Sequence, residues 1–189
     1  RDFCLSRGLG DVYKRQHEHM VMPGMVYISQ PTELGTLYSK SELEAIAHVC
    51  KEHEVKLFVD GARLAYALAC PENDVTLADL AQLCDAFYIG GTKCGAMFGE
   101  AVVIPNPRLL PHMTTIIKQH GALLSKGRLL GIQFDELFKD HLYDTIGQDA
   151  ITYANQIRQA CKKAGLPLYF ENPTNQISVS YTHLTLPTI

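Results

Sequence analysis

The sequence predicts an α/β domain with a mostly parallel sheet that is flanked by helices. Short apolar runs that end in turn residues alternate with stretches whose apolar residues recur at helical spacing. Such runs are typical of strands buried on both faces, and parallel neighbours need crossover connections that helices supply. A chain of 189 residues, of which 47% are hydrophobic, is also long enough to bury a substantial core.

Strands and helices alternate through the first half of the chain. In order, the pattern predicts a strand at 25–29, a helix from Ser39 or Ser41 to about His53, a strand at 56–60, a helix from Thr76 or Asp79 to Leu83, and strands at 86–90 and 101–104. Either serine would cap the first helix, because a hydroxyl accepts a free N–H group of the first turn. Only a tight turn separates the last two strands, so we expect them to run antiparallel.

The second half of the chain is predicted to be helical from Pro107 to about Cys161. Four glycines interrupt the apolar pattern, and we expect them at helix caps or at contacts between helices: Gly121, Gly127, Gly131 and Gly147. Gly165 and Pro167 then end the last helix. A strand predicted at 168–170 would open a second, smaller domain.

The two ends of the chain lack the periodicity of the middle. We expect residues 1–16 to be a non-native leader and 178–189 a non-native tail, because both resemble translated sequencing adapters; ordinary frayed termini are the alternative. Between them, 17–146 would form part of a large domain, and 147–177 a connecting helix and the start of the small domain. The native piece would then be an incomplete fragment of a longer protein.

Composition and charge argue against several classes of protein. The formal net charge is −3 without a basic block, which disfavours a nucleic-acid partner. The apolar runs are far shorter than the roughly 20 residues that span a bilayer, so we expect neither a membrane span nor secretion. Six cysteines without a CxxC pair or a histidine at metal-ligand spacing predict reduced thiols of a cytoplasmic protein and no metal site.

Two motifs with chemical potential lie at predicted strand ends. The sequence DGAR at 60–63 ends one strand, and GGTKCG at 90–95 places Lys93 in a glycine-rich turn after another. Alone, each is explained as well by a capping aspartate or a surface lysine. Together they are more informative, because Asp60 and Lys93 are 33 residues apart (93 − 60), the length of one strand–helix–strand unit. We therefore expect both side chains at the carboxyl edge of the sheet, where ligands bind.

A lysine and a carboxylate at one sheet edge match the needs of pyridoxal phosphate. This cofactor is held as a Schiff base to a lysine, while a carboxylate pairs with its pyridinium nitrogen. Nucleotide binding is less well supported, because the chain contains neither GxxxxGK[ST] nor a GxGxxG that opens a helix. The sequence therefore favours pyridoxal phosphate over a nucleotide.

Four stretches together resemble the low-specificity threonine aldolase and β-eliminating lyase family: YISQPTELGTLYS (27–39), FVDGARLAYAL (58–68), YIGGTKCG (88–95) and KQHGALLSKGRLLGIQF (118–134). The likeness extends over nearly all of 17–177. It implies a pyridoxal-phosphate enzyme with the fold of aspartate aminotransferase, in which this chain supplies the large domain of fold type I and the start of the small domain. It also implies a homodimer or homotetramer with active sites at subunit contacts.

The resemblance also suggests roles for individual residues. Lys93 corresponds to the Schiff-base lysine, Asp60 to the partner of the ring nitrogen, and Arg63 to the residue beside the phenolic oxygen; Thr92 is counted with the cofactor-binding residues. Many relatives have Thr-His-Asn where this chain has TEL at 32–34, which leaves substrate preference open.

The activity that the resemblance implies is retro-aldol cleavage of threonine or allo-threonine to glycine and an aldehyde. β-Elimination or racemisation on the same cofactor, or a truncated fragment without catalysis, are the alternatives. Four basic residues flank a helical break and would either reach a neighbouring subunit's cofactor phosphate or form a solvated helix face: Lys118, His120, Lys126 and Arg128. Cys94, which has no basic partner in the sequence pattern, is interpreted as a small turn-packing residue.

Overall fold

A four-stranded sheet organises residues 23–178, the part of the chain that the computed structural model describes. The strand order is β1-β2-β3-β4; the first three strands are parallel, and β4 runs antiparallel to β3. The four strands predicted in the first half of the chain are present, and the predicted antiparallel direction of the last of them is confirmed. Their bounds are Met25–Ser29 for β1, Lys56–Gly61 for β2, Ala86–Gly90 for β3 and Glu100–Val103 for β4.

Helices connect the strands and then form the second half of the described chain. Their bounds are Lys40–Glu52 for α1, Leu64–Leu68 for α2, Leu77–Leu83 for α3, Met113–Gln119 for α4, Arg128–Phe138 for α5, Leu142–Thr145 for α6 and Gln148–Lys163 for α7, with a 3-10 turn at Lys139–His141. The short helix α2, directly after β2, was not predicted from the pattern. None of the helices within 23–178 is long and apolar enough to cross a membrane.

Capping residues decide where the first helices begin. Ser39, rather than Ser41, caps α1: its hydroxyl accepts from the Glu42 amide while the Glu42 carboxylate accepts from the Ser39 amide. Thr76, rather than Asp79, caps α3 in the same reciprocal way. Both sites satisfy amide groups that a helix start leaves free.

The sheet is covered by helices on one face. Side chains of this covered face are buried and pack with α1, α2 and α3 in the core: Val26, Ile28, Leu57, Val59, Phe87 and Ile89. The intervening residues form the second face, which we call the tyrosine face: Tyr27 is 50% exposed, and Phe58 and Tyr88 are half-buried. The prediction of strands buried on both faces is therefore wrong for residues 23–178, because these helices pack against alternate side chains only.

The helical half differs from its prediction in three places. The first helix of this half begins at Met113 instead of Pro107, whereas the break between Gln119 and Arg128 is the one that the sequence predicted. Gly147 does lie at a helix contact, since a Cβ there would be 2.8 Å from the Ala65 carbonyl of α2, whereas Gly131 lies inside α5 with open space around it. Within the described residues, the strand predicted at 168–170 is reduced to a single bridge residue, Leu168.

The expectations about the chain ends concern residues that are largely outside the described part. The predicted leader at 1–16 lies wholly outside it, and so does all but the first residue of the predicted tail at 178–189. The domain division at 146–147 stays a prediction.

Candidate active site

Asp60 and Lys93 are brought to the same edge of the sheet. Asp60 lies near the carboxyl end of β2 and pairs in register with Tyr88 of β3, while Lys93 lies in the turn that directly follows β3. Because β2 and β3 are parallel, their carboxyl ends meet at one edge, as the sequence predicted. The two charges interact, since the Lys93 ammonium is among the groups that lower the pKa of Asp60.

Hydrogen bonds keep the Asp60 carboxylate ionised. The hydroxyl of Tyr27 donates to Oδ2, the amide of Ala62 donates to Oδ1 at 2.9 Å, and the hydroxyl of Tyr88 also bonds the carboxylate. Partial burial by itself raises the pKa of Asp60, but these three hydrogen bonds outweigh it and the resulting pKa lies below the ordinary value of 3.8. The sheet edge thus presents a fixed negative charge at neutral pH.

Tyr27 and Tyr88 are site residues that the sequence reasoning missed. Strand alternation puts them on the same face as Asp60, and the rings of Tyr27 and Phe58 stack with centroids 5.4 Å apart. Hydrogen bonding to Asp60, burial and the carboxylate charge together raise the pKa of Tyr27 to about 12, so its hydroxyl keeps its proton. Both tyrosines could have been predicted from the alternation of side chains along the strands, because the strand register places them on the face of Asp60.

The turn that carries Lys93 is rigidly held while its amine remains accessible. Tyr143 Oη and Cys94 Sγ each donate to the Gly90 carbonyl at 2.8 Å, and the hydroxyl of Tyr66 donates to the carbonyl of Lys93. A Cβ on Gly91 would lie 2.6 Å from the Gly99 carbonyl, so the turn needs glycine there. The side chain of Lys93 is exposed at the surface of this braced turn.

Cys94 has a packing role, as the sequence predicted. Its side chain is buried, and burial raises the pKa of its thiol despite the opposing effect of a hydrogen bond with Tyr143. A thiol with a raised pKa is a poor nucleophile at neutral pH. The candidate reactive group of this turn therefore remains the neighbouring amine of Lys93.

Arg63 and Thr92 form their described polar contacts with residues other than Asp60. Arg63 precedes α2, and its Nη1 forms an ion pair with Glu33 Oε2 at 3.4 Å. Thr92 is exposed and its hydroxyl donates to the Gly99 carbonyl at 3.4 Å. Glu33, which belongs to the turn after β1, is a third residue that the sequence reasoning did not place at the site.

The remaining predicted groups are the basic residues around the helical break. The four basic residues around the helical break are all exposed: Lys118, His120, Lys126 and Arg128. Within 23–178 there is no group of three or more His, Cys, Asp or Glu side chains that could hold a metal ion.

Comparison with known proteins defines first the class of fold and then the family. An aspartate aminotransferase mutant from Thermus thermophilus superposes with a TM-score of 0.62 at 17% identity, over 82% of this chain and 41% of that one. The described sheet and its helices therefore have the fold of aspartate aminotransferase, fold type I. Residues 6–183 match the model of the beta-eliminating lyase family, and the chain belongs to that family.

Two relatives within this group are more similar. Threonine aldolase of Leishmania major superposes with a TM-score of 0.84 at 49% identity, over 89% of this chain and 49% of that chain. The low specificity L-threonine aldolase of a Pseudomonas strain is 39% identical over 129 residues, which cover 67% of this chain and 37% of the relative. These matches confirm the resemblance found in the sequence. The chain spans at most about half the length of these relatives.

Proposed function

We propose that the protein acts as a pyridoxal-phosphate lyase that cleaves threonine or allo-threonine to glycine and an aldehyde. The observation that carries this proposal is the accessible amine of Lys93 beside the ionised carboxylate of Asp60 at one sheet edge. We further propose that the full protein is a cytoplasmic homodimer or homotetramer, as in the family that the sequence resembles.

The donor set fits pyridoxal phosphate. The cofactor has an aldehyde that needs a primary amine, a ring nitrogen that needs an anion, and a phenolic oxygen that accepts a hydrogen bond. Lys93, Asp60 and Arg63 offer these three groups in turn. When bound, pyridoxal phosphate supplies a ring that withdraws electrons from the substrate's Cα.

Each residue then has a defined task. Lys93 would hold the cofactor through its Nζ atom, and the braced turn limits the positions that this atom can take. Asp60 would pair with the protonated ring nitrogen, and the hydroxyls of Tyr27 and Tyr88 hold the carboxylate of Asp60 in place. Arg63, whose guanidinium is held by Glu33, would donate to the phenolic oxygen, and Thr92 would contribute a hydroxyl nearby.

The substrate class rests on the relatives. The names of the Leishmania and Pseudomonas proteins are those of threonine aldolases, which supports a β-hydroxy-α-amino acid as substrate. β-Elimination and racemisation need the same Lys93 and Asp60, so they are separated by products rather than by these residues. Release of acetaldehyde and glycine from threonine supports the aldolase activity. Formation of pyruvate from serine would instead indicate β-elimination, and inversion at Cα would indicate racemisation.

Borohydride trapping tests the assignment of Lys93. The protein is incubated with pyridoxal phosphate, reduced, digested and mapped by mass spectrometry. We expect the label on Lys93, its loss in Lys93→Arg, and its retention in the matched control Lys118→Arg, which alters another exposed lysine. A label on Lys118 or Lys126 in place of Lys93 would contradict the proposal.

A further inference from the structure

A segment near the end of the described chain lies directly over the turn that follows β1. Side chains of this segment donate hydrogen bonds to three successive carbonyl oxygens of the turn. Gln176 Nε2 donates to Glu33 O at 2.5 Å, Asn172 Nδ2 to Leu34 O at 2.8 Å, and Thr174 Oγ1 to Gly35 O at 2.9 Å. A Cβ on Gly35 would lie 2.5 Å from Thr174 Oγ1, so this approach requires glycine. We call residues 172–176 the latch segment.

Arg158 of α7 holds the latch segment from its other side. Its Nη2 donates to the Thr174 carbonyl, to Asn172 Oδ1 at 3.1 Å and to the Gln176 carbonyl at 3.4 Å, and its Nη1 donates to Asn155 Oδ1 at 2.6 Å. Arg158 is only 9% exposed, and the oxygens within 23–178 that accept from it are all uncharged. A buried guanidinium without a carboxylate is costly, and its planar fork suits it to gather several acceptors at once.

The turn is therefore held at both its base and its tip. At the base, Gln30 is fully buried and exchanges hydrogen bonds with the backbone of Tyr38, at 3.0 Å and 2.9 Å. At the tip, the latch segment fixes the backbone of Glu33, whose carboxylate meets Arg63. The Glu33 side chain is 77% exposed and that of Arg63 is 25% exposed, so their ion pair gains from a backbone that is already held in place. The backbone restraint thus narrows the positions that this carboxylate can take beside Arg63.

We propose that Arg158 is a positioning residue that acts through the latch segment: it fixes Glu33, and with it the ion pair that orients Arg63 at the sheet edge. This inference rests on the proposed function, because Arg63 matters there as a partner of the cofactor. It gives a specific role to a buried arginine that lies on α7, outside the strand-end motifs.

The first measurement is hydrogen exchange of the backbone amides at 33–36 in the protein without cofactor. Arg158→Lys retains the charge and loses the planar fork; Gln176→Met keeps Arg158 and removes only the side-chain bond to Glu33. We expect both to speed exchange of these amides by about three- to tenfold, the factor that one hydrogen bond is worth. Gln159→Met, an exposed neighbour of Arg158 on α7, is the matched control and should leave exchange unchanged.

The second measurement is the pH titration of the bound cofactor's absorption band, which reports the charge beside the phenolic oxygen. Glu33→Gln removes the carboxylate directly and should shift the midpoint. Gln176→Met should shift it in the same direction, and the double variant should shift it by less than the sum, because both changes act on one contact. A residue that only stabilised the fold would leave this midpoint in place.

The outcomes separate the two proposals. Unchanged exchange at 33–36 in both folded variants overturns the latch. Faster exchange in Gln176→Met with an unmoved midpoint, while Glu33→Gln does shift it, overturns the positioning role. Failure of the unmodified protein to bind pyridoxal phosphate overturns the proposed function, and the role of Arg158 with it, and this is seen before any variant is made.

Discussion

The two faces of the sheet use the same four strands for different purposes. On the covered face, Val59 and Leu57 are at most 1% exposed and pack under the helices. On the tyrosine face, the neighbouring positions Phe58 and Asp60 lie among Tyr27 and Tyr88, and hydrogen bonds rather than close packing fix the carboxylate. Because side chains alternate between the faces of a strand, one residue can pack in the core while its neighbour takes part in the site.

The largest difference between the faces is expected from a matched pair of phenylalanines. Phe87→Ala on the covered face should lower the free energy of unfolding by about 3–5 kcal/mol, because it opens a cavity in the core. Phe58→Ala on the tyrosine face should cost less than half as much, since Phe58 is already partly in contact with solvent. Urea denaturation of both variants measures this. Equal losses would show that the two faces are packed alike.

A second pair of variants separates chemistry from stability. Asp60→Asn should lower aldolase turnover by about 100-fold or more, the usual cost of removing a charge-stabilising group from an active site, with a small change in melting temperature. Its control is Asp85→Asn at the opposite edge of the sheet, where Asp85 accepts from the Leu57 amide at 2.9 Å and pairs with Lys56. That variant should lose stability and retain turnover. Parallel losses of turnover and melting temperature in Asp60→Asn would make Asp60 a structural residue.

A smaller effect is expected where the helices of the covered face are capped. Thr76→Ala removes the cap of α3 and should lower the free energy of unfolding by about 1 kcal/mol. Thr76→Ser keeps the hydroxyl and should restore most of the loss. Thermal melts monitored by circular dichroism give both values, and an unstable Thr76→Ser variant would argue against the cap as the cause.

The smallest and most specific effect concerns the pKa of Asp60. Tyr27→Phe removes one of the hydrogen bonds that lower this pKa, so the pKa should rise, as followed by NMR of the carboxyl carbon. Because the folded pKa is depressed, ionised Asp60 contributes stability above the ordinary value of 3.8, and this contribution is lost as the pH falls through the folded pKa. Tyr27→Phe should therefore make the melting temperature less dependent on pH in the acid range. An unchanged titration would mean that Ala62 and Tyr88 suffice.

Much of this architecture could be predicted from the sequence by itself. The strands are short apolar runs bounded by turn residues, the caps Ser39 and Thr76 are each followed three residues later by an acid, and the 33-residue interval puts Asp60 and Lys93 at one edge. These features are local, or follow from parallel strand order, so periodicity and spacing contain them.

Only the tertiary structure decided which face of the sheet the helices cover, that Tyr27 and Tyr88 hold Asp60, and that Arg158 reaches the turn of Glu33 through the latch segment. It also reduced the predicted strand at 168–170 to a single bridge. These outcomes depend on pairs of residues far apart in the chain: Thr174 and Gly35 are separated by 139 positions and Gln176 and Glu33 by 143. The sequence around either residue does not predict such a contact, because the contact forms only after the intervening strands and helices have packed.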